Sequence, residues 1–385
     1  MPNFLQKLLI SIASRNPRIK TLFWFICSCF ARLRQSRYSL YDVRQAKKLI
    51  VFLLPEHPVR SGGVLSIFNL FLMTKKIVRD ATVVLATFPS FLTYSKLMWF
   101  DNDEKIYRFS QIFNGHLSAD DVCVHIPEYL ATAFYPSLPE KSRKLLRALP
   151  NLHINILNQN ILLMPEPLRL ARLFSLAAQV TQTTAHDSYA NQQTCDRWGM
   201  PLHHFSAILP NPLADCSLPS FEKKAARLLI VLSPDAHPAR EPLQAAILRR
   251  LPGCKILTVK NMSYSAYFAL ISEAMFVITF GEGFDAYFTQ PCFVGTVSFS
   301  VFNENFFPDP SWKALENVFA SYDEAVSSIA QVMNCLLHDK QKYIDLVQKN
   351  RVMLDAIYND DKVEANIQRF YQHDYDFIPR TAQQP

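Results

Sequence analysis

The chain has 385 residues, of which 49% are hydrophobic and 19% charged, and its formal net charge is +7. This length exceeds one ordinary domain, and the hydrophobic share can fill two cores. The seven basic residues before Asp42 account for the whole excess charge, because no acidic residue accompanies them. The remaining chain is neutral, which argues against the basic domain face that a nucleic-acid partner requires.

The N-terminal segment contains two apolar stretches, residues 8–13 and 22–31. Both are shorter than the roughly 18–20 residues that cross a bilayer. Basic residues flank the second stretch, which is typical of an amphipathic segment on an anionic membrane surface, although a helix packed on the body is the alternative. Arginines rather than small residues follow it, so no cleaved signal peptide is expected. We expect residues 1–45 to form a basic amphipathic arm, and the protein to be cytoplasmic and peripheral at the inner face of the cell membrane.

An alternation of strands and helices follows the arm. Residues 48–54 form a continuous apolar run of strand length, as in a buried parallel strand. Further strands are predicted at 81–86, 122–126, 153–157 and 179–184, with helices at 64–77, 141–149, 168–174 and 186–198. This alternation predicts a parallel, doubly wound sheet in a Rossmann-like domain over residues 46–212.

Pro210-Asn211-Pro212 interrupts regular structure and marks the expected domain boundary. A second alternation predicts another Rossmann-like domain over residues 213–360. Its strands are expected at 228–232, 255–259, 276–280 and 296–301, and its helices at 242–251, 264–274 and 323–337. The tail, residues 361–385, has apolar residues at helical spacing and is expected to pack back on the first domain. The predicted fold class is α/β, with two doubly wound domains facing a cleft.

Glycine is scarce, with eight residues in all, and five of them lie in two clusters. One is Gly62-Gly63, and the other runs from Gly281 and Gly283 to Gly295. Each cluster follows an apolar run and opens a predicted helix, where backbone N–H groups can bind an anion. Two anion sites suggest two nucleotide-type domains.

The second cluster carries a family resemblance. Gly281-Glu282-Gly283-Phe284-Asp285, followed by Gln290-Pro291 and Gly295, resembles the glycine turn of GT-B glycosyltransferases of the large retaining class, which build bacterial capsule or lipopolysaccharide glycans. The family has a glycine where this chain has Asp285. It has a second glutamate where this chain has Gln290.

The resemblance implies a nucleotide-sugar donor held mainly by the second domain. It assigns Glu282 to the donor sugar and Gln290 to the nucleotide ribose, with Gly281, Gly283, Phe284 and Asp285 completing the donor turn. The family also places an Arg and a Lys after the first strand of this domain, to neutralise the departing diphosphate. Arg240 is the nearest match here, and His237 and Lys260 are alternatives. The other interpretation of this segment is a solvated turn with no role in catalysis.

In the first domain, Arg60-Ser61-Gly62-Gly63 resembles the loop that lies beside donor phosphate and acceptor in the same family. His125 lies near the end of a predicted strand, where the family often has a histidine that contacts the sugar. We therefore name Glu282, His125 and Arg240 as catalytic candidates. Glu128 competes with His125 in the same loop, and residues 158–160 are either acceptor contacts or a plain loop.

No metal and no cofactor are expected. The eight cysteines show no paired C-x-x-C spacing, so a zinc site is not predicted. Metal-dependent GT-A transferases use an Asp-x-Asp motif, which occurs here at Asp101-Asn102-Asp103 and Asp374-Tyr375-Asp376. Neither copy follows a buried strand.

The sequence therefore predicts a glycosyltransferase that uses a nucleotide-diphosphate sugar and a glycan or lipid-linked glycan acceptor, with its N-terminal arm on the membrane. Two alternatives remain. A non-catalytic partner subunit would keep the nucleotide-sugar pocket without turnover, as Gln290 and the missing lysine permit. A GT-B-fold polyol-phosphate transferase would use a CDP-linked alcohol and would need two well-placed histidines.

Overall fold

The structure is a computed structural model that describes residues 17–59, 61–89, 91–97, 100, 102–205, 218–260, 262–358 and 360–380. Residues 1–16 of the expected arm and the Pro210-Asn211-Pro212 boundary lie outside these ranges. The described residues form two compact units. The first lies within Met1–Ala185, Ala190–Phe205 and Glu364–Pro385, and the second lies within His186–Tyr189 and Ser206–Val363.

A parallel sheet forms the centre of the first unit. Its seven strands are β1 Lys48–Pro55, β2 Thr82–Phe88, β3 Ile106–Arg108, β4 Asp121–Pro127, β5 Asn151–Leu157, β6 Gln179–Thr184 and β7 Leu202–His204. They pair in the order β3-β2-β1-β4-β5-β6-β7, and every pair is parallel. Strand β1 is buried from its second residue onward, as expected for a central strand covered on both faces.

Helices precede the first strand and lie between the later ones. They are α1 Pro17–Gln35, α2 Tyr41–Gln45, α3 Gly62–Ile77, α4 Phe109–Ile112, α5 Ala131–Ser137, α6 Glu140–Ala148, α7 Ala171–Phe174 and α8 Gln192–Trp198. Helix α3 begins where Ser61 caps it by accepting a hydrogen bond from the Val64 backbone N–H at 3.2 Å. Helix α8 ends at Gly199, which has the left-handed conformation that favours glycine.

A second parallel sheet forms the centre of the other unit. Its strands are β8 Leu229–Leu232, β9 Lys255–Thr258, β10 Phe276–Ile278, β11 Val297–Val301 and β12 Val318–Phe319, in the order β12-β11-β10-β8-β9. Alternate residues of β8 enter different cores: Ile230 and Leu232 pack in one, and Leu229 and Val231 in the other. Both faces of this sheet are therefore covered.

The helices of the second unit are α9 Phe221–Arg227, α10 Arg240–Arg250, α11 Tyr264–Glu273, α12 Ala286–Phe293, α13 Tyr322–His338 and α14 Lys340–Ile357. Helix α15, Asp360–Tyr371, follows them in the chain. No helix among the described residues is long and apolar enough to cross a bilayer.

The predicted strands all form within a few residues of their expected positions, and the expected α/β class with parallel sheets is confirmed. The sequence did not indicate β3, β7 and β12, which are two or three residues long and occur at or near sheet edges. The helix expected from residue 186 begins only at Gln192, because Asn191 caps it there with its side chain.

A layer of buried polar side chains lies between the first sheet and the C-terminal segment. The His125 ring on β4 is fully buried, with Nδ1 3.0 Å from the Asn155 amide and Nε2 2.8 Å from the Tyr371 hydroxyl on α15. On β5, His153 Nε2 is 2.7 Å from Thr181 Oγ1. Burial is the main cause that lowers the pKa of both imidazoles, that of His153 to about 3.

The tail residues also bind the edge of this sheet. Phe377 forms an antiparallel bridge with Leu202 on β7, with both backbone hydrogen bonds at 3.0 Å. Asp376 lies 2.9 Å from His203, and Arg369 pairs with both Asp374 and Asp376. The second Asp-x-Asp motif is thus engaged in ion pairs within the first unit.

His153→Gln is predicted to make the protein less sensitive to acid. The folded state keeps His153 neutral, whereas in the unfolded state its imidazole binds a proton below a pKa of about 6.5. His153 therefore lowers the free energy of unfolding as the pH falls below that value. At pH 4.5 the cost to the wild type is about 2–3 kcal/mol. Urea denaturation at pH values from 8 to 4.5 measures this change in the free energy of unfolding. The control is His116→Gln at an exposed position, and equal pH slopes for wild type and His153→Gln would contradict the prediction.

Candidate functional site

The turn between β10 and α12, residues 279–285, lies at the carboxyl end of the second sheet. Gly283 has φ +87°, and a Cβ atom there would lie 2.6 Å from the Val301 carbonyl oxygen. No side chain fits at that distance, so this position requires glycine. Phe284 is buried and packs with Phe288 and Trp312. The apolar Phe284 side chain therefore anchors the turn on the core rather than facing a ligand.

Asp285 fixes the end of this turn and the start of α12. Its Oδ1 accepts hydrogen bonds from the backbone N–H groups of Tyr287 at 2.8 Å and Phe288 at 3.1 Å, and its Oδ2 accepts one from Thr279 Oγ1 at 2.7 Å. These N–H groups are the ones that an anion would bind at a helix N-terminus. In this chain a carboxylate of the protein occupies that position instead.

A second carboxylate approaches the same point. The position of a Gly281 Cβ lies 3.3 Å from Asp235 Oδ2 and 3.3 Å from Asp285 Oδ2, so both carboxylate oxygens lie close to this glycine. Burial, together with the charge of Asp235, raises the pKa of Asp285 to about 6. The sequence did not single out Asp235, because nothing along the chain indicates that it meets Asp285.

Arg240 holds the loop after β8. Its guanidinium donates to the carbonyl oxygens of Ser233 at 3.0 Å and Asp235 at 2.7 Å, and to Thr258 Oγ1 at 2.8 Å. It also lies over the Phe280 ring, 5.3 Å from the centroid. These contacts give Arg240 a structural role in the loop, and contact with a diphosphate stays a prediction.

Two aromatic rings border the same loop. The His237 ring stacks on Tyr322 with 3.7 Å between centroids, and the Tyr322 hydroxyl donates to the Phe280 carbonyl oxygen at 3.0 Å. Burial first, and then Asp285 and Asp235, raise the pKa of the Tyr322 hydroxyl to about 12. His237 and Tyr322 thus lie beside the carboxylate pair.

The remaining donor-side candidates differ in exposure. Gln290 on α12 is 1% exposed, and its amide nitrogen donates to the Tyr264 hydroxyl at 3.1 Å, while its Oε1 accepts no hydrogen bond from the residues that the structure describes. Lys260 is exposed, two residues beyond the end of β9. Glu282 is partly exposed within the turn. The structure therefore places Glu282 at the surface of the turn and Gln290 beneath it.

In the first unit, the glycine loop lies at the carboxyl end of β1, and Arg60 lies outside the described residues. Gly62 and Gly63 are the first residues of α3. The Gln159 amide nitrogen, beyond β5, donates to the Gly63 carbonyl oxygen at 3.0 Å, and its Oε1 lies 3.0 Å from the position of a Gly63 Cβ. Gly63 thus allows the loop after β5 to approach the start of α3.

Glu128 lies beside this contact and is only 3% exposed. It follows β4 directly, and its Oε2 accepts the Gln159 backbone N–H at 3.4 Å. Burial raises the pKa of this carboxyl to about 7, although backbone hydrogen bonds act in the opposite direction. A carboxyl that titrates near neutrality can take up or release a proton.

His125 does not lie at the strand end, which corrects the expectation from the sequence. Strand β4 continues two residues further, to Pro127, and His125 is the fifth of its seven residues. Its side chain stacks on Phe52 and is covered by the C-terminal segment, with both ring nitrogens engaged. Glu128, which the sequence analysis mentioned only as a competitor, is the titratable group at the end of β4.

No cluster of three or more His, Cys, Asp or Glu side chains that could hold a metal ion occurs in the described part of the chain. The first Asp-x-Asp motif lies partly outside that part, at Asp101.

Solved structures of glycosyltransferases have a similar fold. An alpha-glucosyltransferase (AGT) in complex with UDP is 10% identical, with a TM-score of 0.52 over 84% of this chain and 99% of that chain. An alpha-glucosyltransferase with UDP and a 13-mer DNA containing an HMU base is 8% identical, with a TM-score of 0.53 over 84% and 98%. Sucrose-phosphate synthase from Thermosynechococcus elongatus is 11% identical, with a TM-score of 0.50 over 85% and 98%.

No protein-family model matches the chain, and no curated protein matches it. At these identities the similarity shows the fold alone. The chain therefore has the fold of GT-B glycosyltransferases, as the glycine turn led us to expect.

Gly283→Ala is predicted to destabilise the second unit by about 2 kcal/mol or more, because a side chain there combines an unfavourable φ with a contact on a backbone carbonyl. Thermal or urea denaturation measures the loss. The control is Gly253→Ala, where an added Cβ meets nothing within 4 Å and should change stability by less than about 0.5 kcal/mol. Equal free energies of unfolding for Gly283→Ala and Gly253→Ala would refute the requirement for glycine at position 283.

Glu128→Gln is predicted to stabilise the protein at pH 8. Above a pKa of 4.5 the unfolded state ionises this residue, whereas the folded state keeps it protonated up to about pH 7, so the wild type loses stability as the pH rises through this window. The full difference is at most about 3 kcal/mol. Urea denaturation at pH 8 and pH 4.5 should show a gain at the higher pH only. The same gain at both values would point to a cause other than ionisation.

Proposed function

We propose that this protein is a glycosyltransferase that moves a sugar from a nucleotide-diphosphate sugar to a hydroxyl of a glycan or lipid-linked glycan acceptor. The observation that carries the proposal is the turn bearing Glu282 at the carboxyl end of β10, in a chain with the GT-B fold. Ligands of open α/β sheets bind beyond the carboxyl ends of the strands. UDP in two of the similar structures makes a UDP-sugar the first donor to test.

On the donor side, Glu282 contacts the sugar and the turn from Gly281 to Asp285 surrounds it. Gln290 is assigned to the nucleotide ribose on the resemblance of the glycine turn. We assign Arg240 and Lys260 to the diphosphate on the resemblance to the family. We assign a hexosyl donor and anomeric retention on the resemblance of the glycine turn.

On the acceptor side, the Ser61-Gly62-Gly63 loop and Glu128 lie together at the carboxyl edge of the first sheet. The acceptor hydroxyl must lose a proton during transfer, and a carboxyl with a pKa near 7 is suited to receive it. We therefore assign this role to Glu128. Arg60, from the same loop, is retained as a phosphate contact.

The acceptor belongs, in this proposal, to the synthesis of a bacterial surface polysaccharide such as capsule or lipopolysaccharide. The basic N-terminal arm supports this assignment, since it would keep a cytoplasmic enzyme at the inner face of the membrane where such acceptors are assembled. The first 41 residues carry no acidic side chain to oppose that attraction.

Glu282→Ala is predicted to leave the fold intact and to reduce sugar transfer by about a hundredfold or more, as expected when one transition-state contact is lost. Nucleotide sugars are first screened for thermal stabilisation of the wild type, because ligands that bind the folded state raise the apparent melting temperature. Transfer from the best donor is then compared between wild type and variant.

The matched control is Glu273→Ala. Glu273 ends α11 at the opposite edge of the sheet, and its ion pair with Arg227 is exposed and contributes little to stability. Transfer by this variant should equal that of the wild type. Full activity of Glu282→Ala would remove Glu282 from the site, and a protein that no nucleotide sugar stabilises would contradict the proposed function.

The capping of α12 by Asp285 favours a second candidate, a non-catalytic subunit that binds a nucleotide sugar. In this chain the α12 N–H groups are bonded to Asp285 rather than available to a phosphate. Such a subunit would show stabilisation by a nucleotide sugar with no transfer and no hydrolysis of the donor. Turnover by the purified chain excludes it.

A further inference from the structure

Helix α1 presents an apolar face to solvent and a polar face to the protein. Ser28 and Gln35 are buried: the Ser28 hydroxyl accepts the Thr93 backbone N–H at 3.0 Å, and the Gln35 amide nitrogen donates to Thr93 Oγ1 and to two backbone carbonyl oxygens. The outward side chains are large, apolar and about half exposed or more: Leu22, Phe25, Ile26, Phe30 and Leu33. Their spacing of three and four residues puts them on one face.

This arrangement is the reverse of an ordinary surface helix, which buries its apolar stripe. Hydrogen bonds hold α1 on the first unit, so its outward face is not needed to keep it there. An apolar helix face in water is unfavourable and indicates a binding surface.

Other exposed apolar side chains lie on the loops at the carboxyl edge of the first sheet. Phe91 follows β2 and is 73% exposed, Tyr129 follows β4, and Leu162, Leu163 and Leu168 follow β5, the last of them 92% exposed. The short 3-10 helix Ile161–Leu163 has no buried residue at all. Parallel strands end at the same edge, so these loops lie side by side.

Contacts connect the helix to the loops and the loops to the acceptor-side residues. The Arg32 guanidinium donates to the Phe91 carbonyl oxygen. The Leu92 backbone N–H, next along the chain, donates to Glu56 Oε2 in the loop after β1 at 3.2 Å. Beyond β5, Gln159 bonds both Gly63 and Glu128. Arg32 thus joins α1 to the loop after β2, and Gln159 joins the loop after β5 to Gly63 and Glu128. We call the exposed apolar side chains of α1 and of the loops after β2, β4 and β5 the apolar rim.

The charge beside the rim identifies the kind of partner. Arg34 and Arg37 are exposed near the end of α1, and no acidic residue precedes Asp42 in the chain. Large apolar side chains flanked by exposed arginines complement an anionic lipid surface, in which the apolar groups enter the interface and the cations meet the headgroups.

We propose that the apolar rim docks the carboxyl edge of the first sheet on an anionic lipid bilayer, so that Glu128 faces an acceptor hydroxyl carried by a lipid. The docking surface stands on the geometry of the first unit, and the lipid-borne acceptor rests on the proposed function. The sequence alone assigned membrane contact only to residues 1–45, whereas the rim adds the loops after β2, β4 and β5.

The docking test uses the full chain and vesicles of phosphatidylcholine with phosphatidylglycerol. The double variant Leu162→Asp/Leu163→Asp should reduce co-sedimentation about tenfold or more, because two apolar side chains no longer enter the interface. Phe30→Asp should have a similar effect. Val352→Asp, the same kind of change at a 70% exposed position of the second unit, is the control and should bind as the wild type does.

Three outcomes would overturn docking through the rim. The first is a wild-type chain that does not bind these vesicles. The second is full binding by Leu162→Asp/Leu163→Asp when Phe30→Asp has lost it, which would assign binding to α1 alone. The third is a concentration-dependent dimer that Phe30→Asp abolishes, which would make a second copy the occupant.

A second measurement separates this proposal from the proposed function. Wild-type chain is incubated with the radiolabelled nucleotide sugar that stabilises it best and with vesicles of total bacterial membrane lipid. We expect the wild type to transfer label into the organic phase. Leu162→Asp/Leu163→Asp should do so at least about tenfold more slowly. The nucleotide sugar should stabilise this variant against heat as much as it stabilises the wild type. Label transferred only to water-soluble product overturns the lipid-borne acceptor and leaves the function standing. Docking without stabilisation by any nucleotide sugar refutes the function and leaves the docking surface standing.

Discussion

Parallel strand pairing is the constraint on which both candidate sites depend. In each sheet the strands point the same way, so the loops that follow them gather at one edge. This brings Asp235, after β8, to the turn after β10, and brings Glu128, after β4, to Gln159, after β5. Residues that are tens of positions apart in the chain thereby become neighbours.

The second glycine turn combines two requirements. Gly283 is needed because a neighbouring carbonyl oxygen leaves no room for a side chain, and Asp285 is needed because it caps α12. The cap places a carboxylate at a helix N-terminus, a position that can otherwise bind an anion. A donor diphosphate near this helix end would meet the negative charge of Asp285, which a glycine at this position would not carry.

The first unit combines a layer of buried polar side chains with the exposed apolar side chains of the apolar rim. His125, Asn155 and Tyr371 form hydrogen bonds within the interior, where the pKa of the His125 imidazole is held well below its usual value by burial. Helix α1 likewise buries polar groups and exposes apolar ones. Exposed apolar side chains of this unit thus lie on α1 and on the loops that follow the strands of its sheet.

The sequence by itself determined the two alternations of strand and helix, the glycine turn with Glu282 and the basic arm, because each is written in local periodicity or in a short motif. Only the tertiary structure decided that His125 is a core residue, that Glu128 is the titratable group at the end of β4, and that Asp235 meets Asp285. It also decided which face of α1 is exposed. These facts depend on where β4 ends and on contacts between distant segments, and neither is encoded in the spacing of nearby residues.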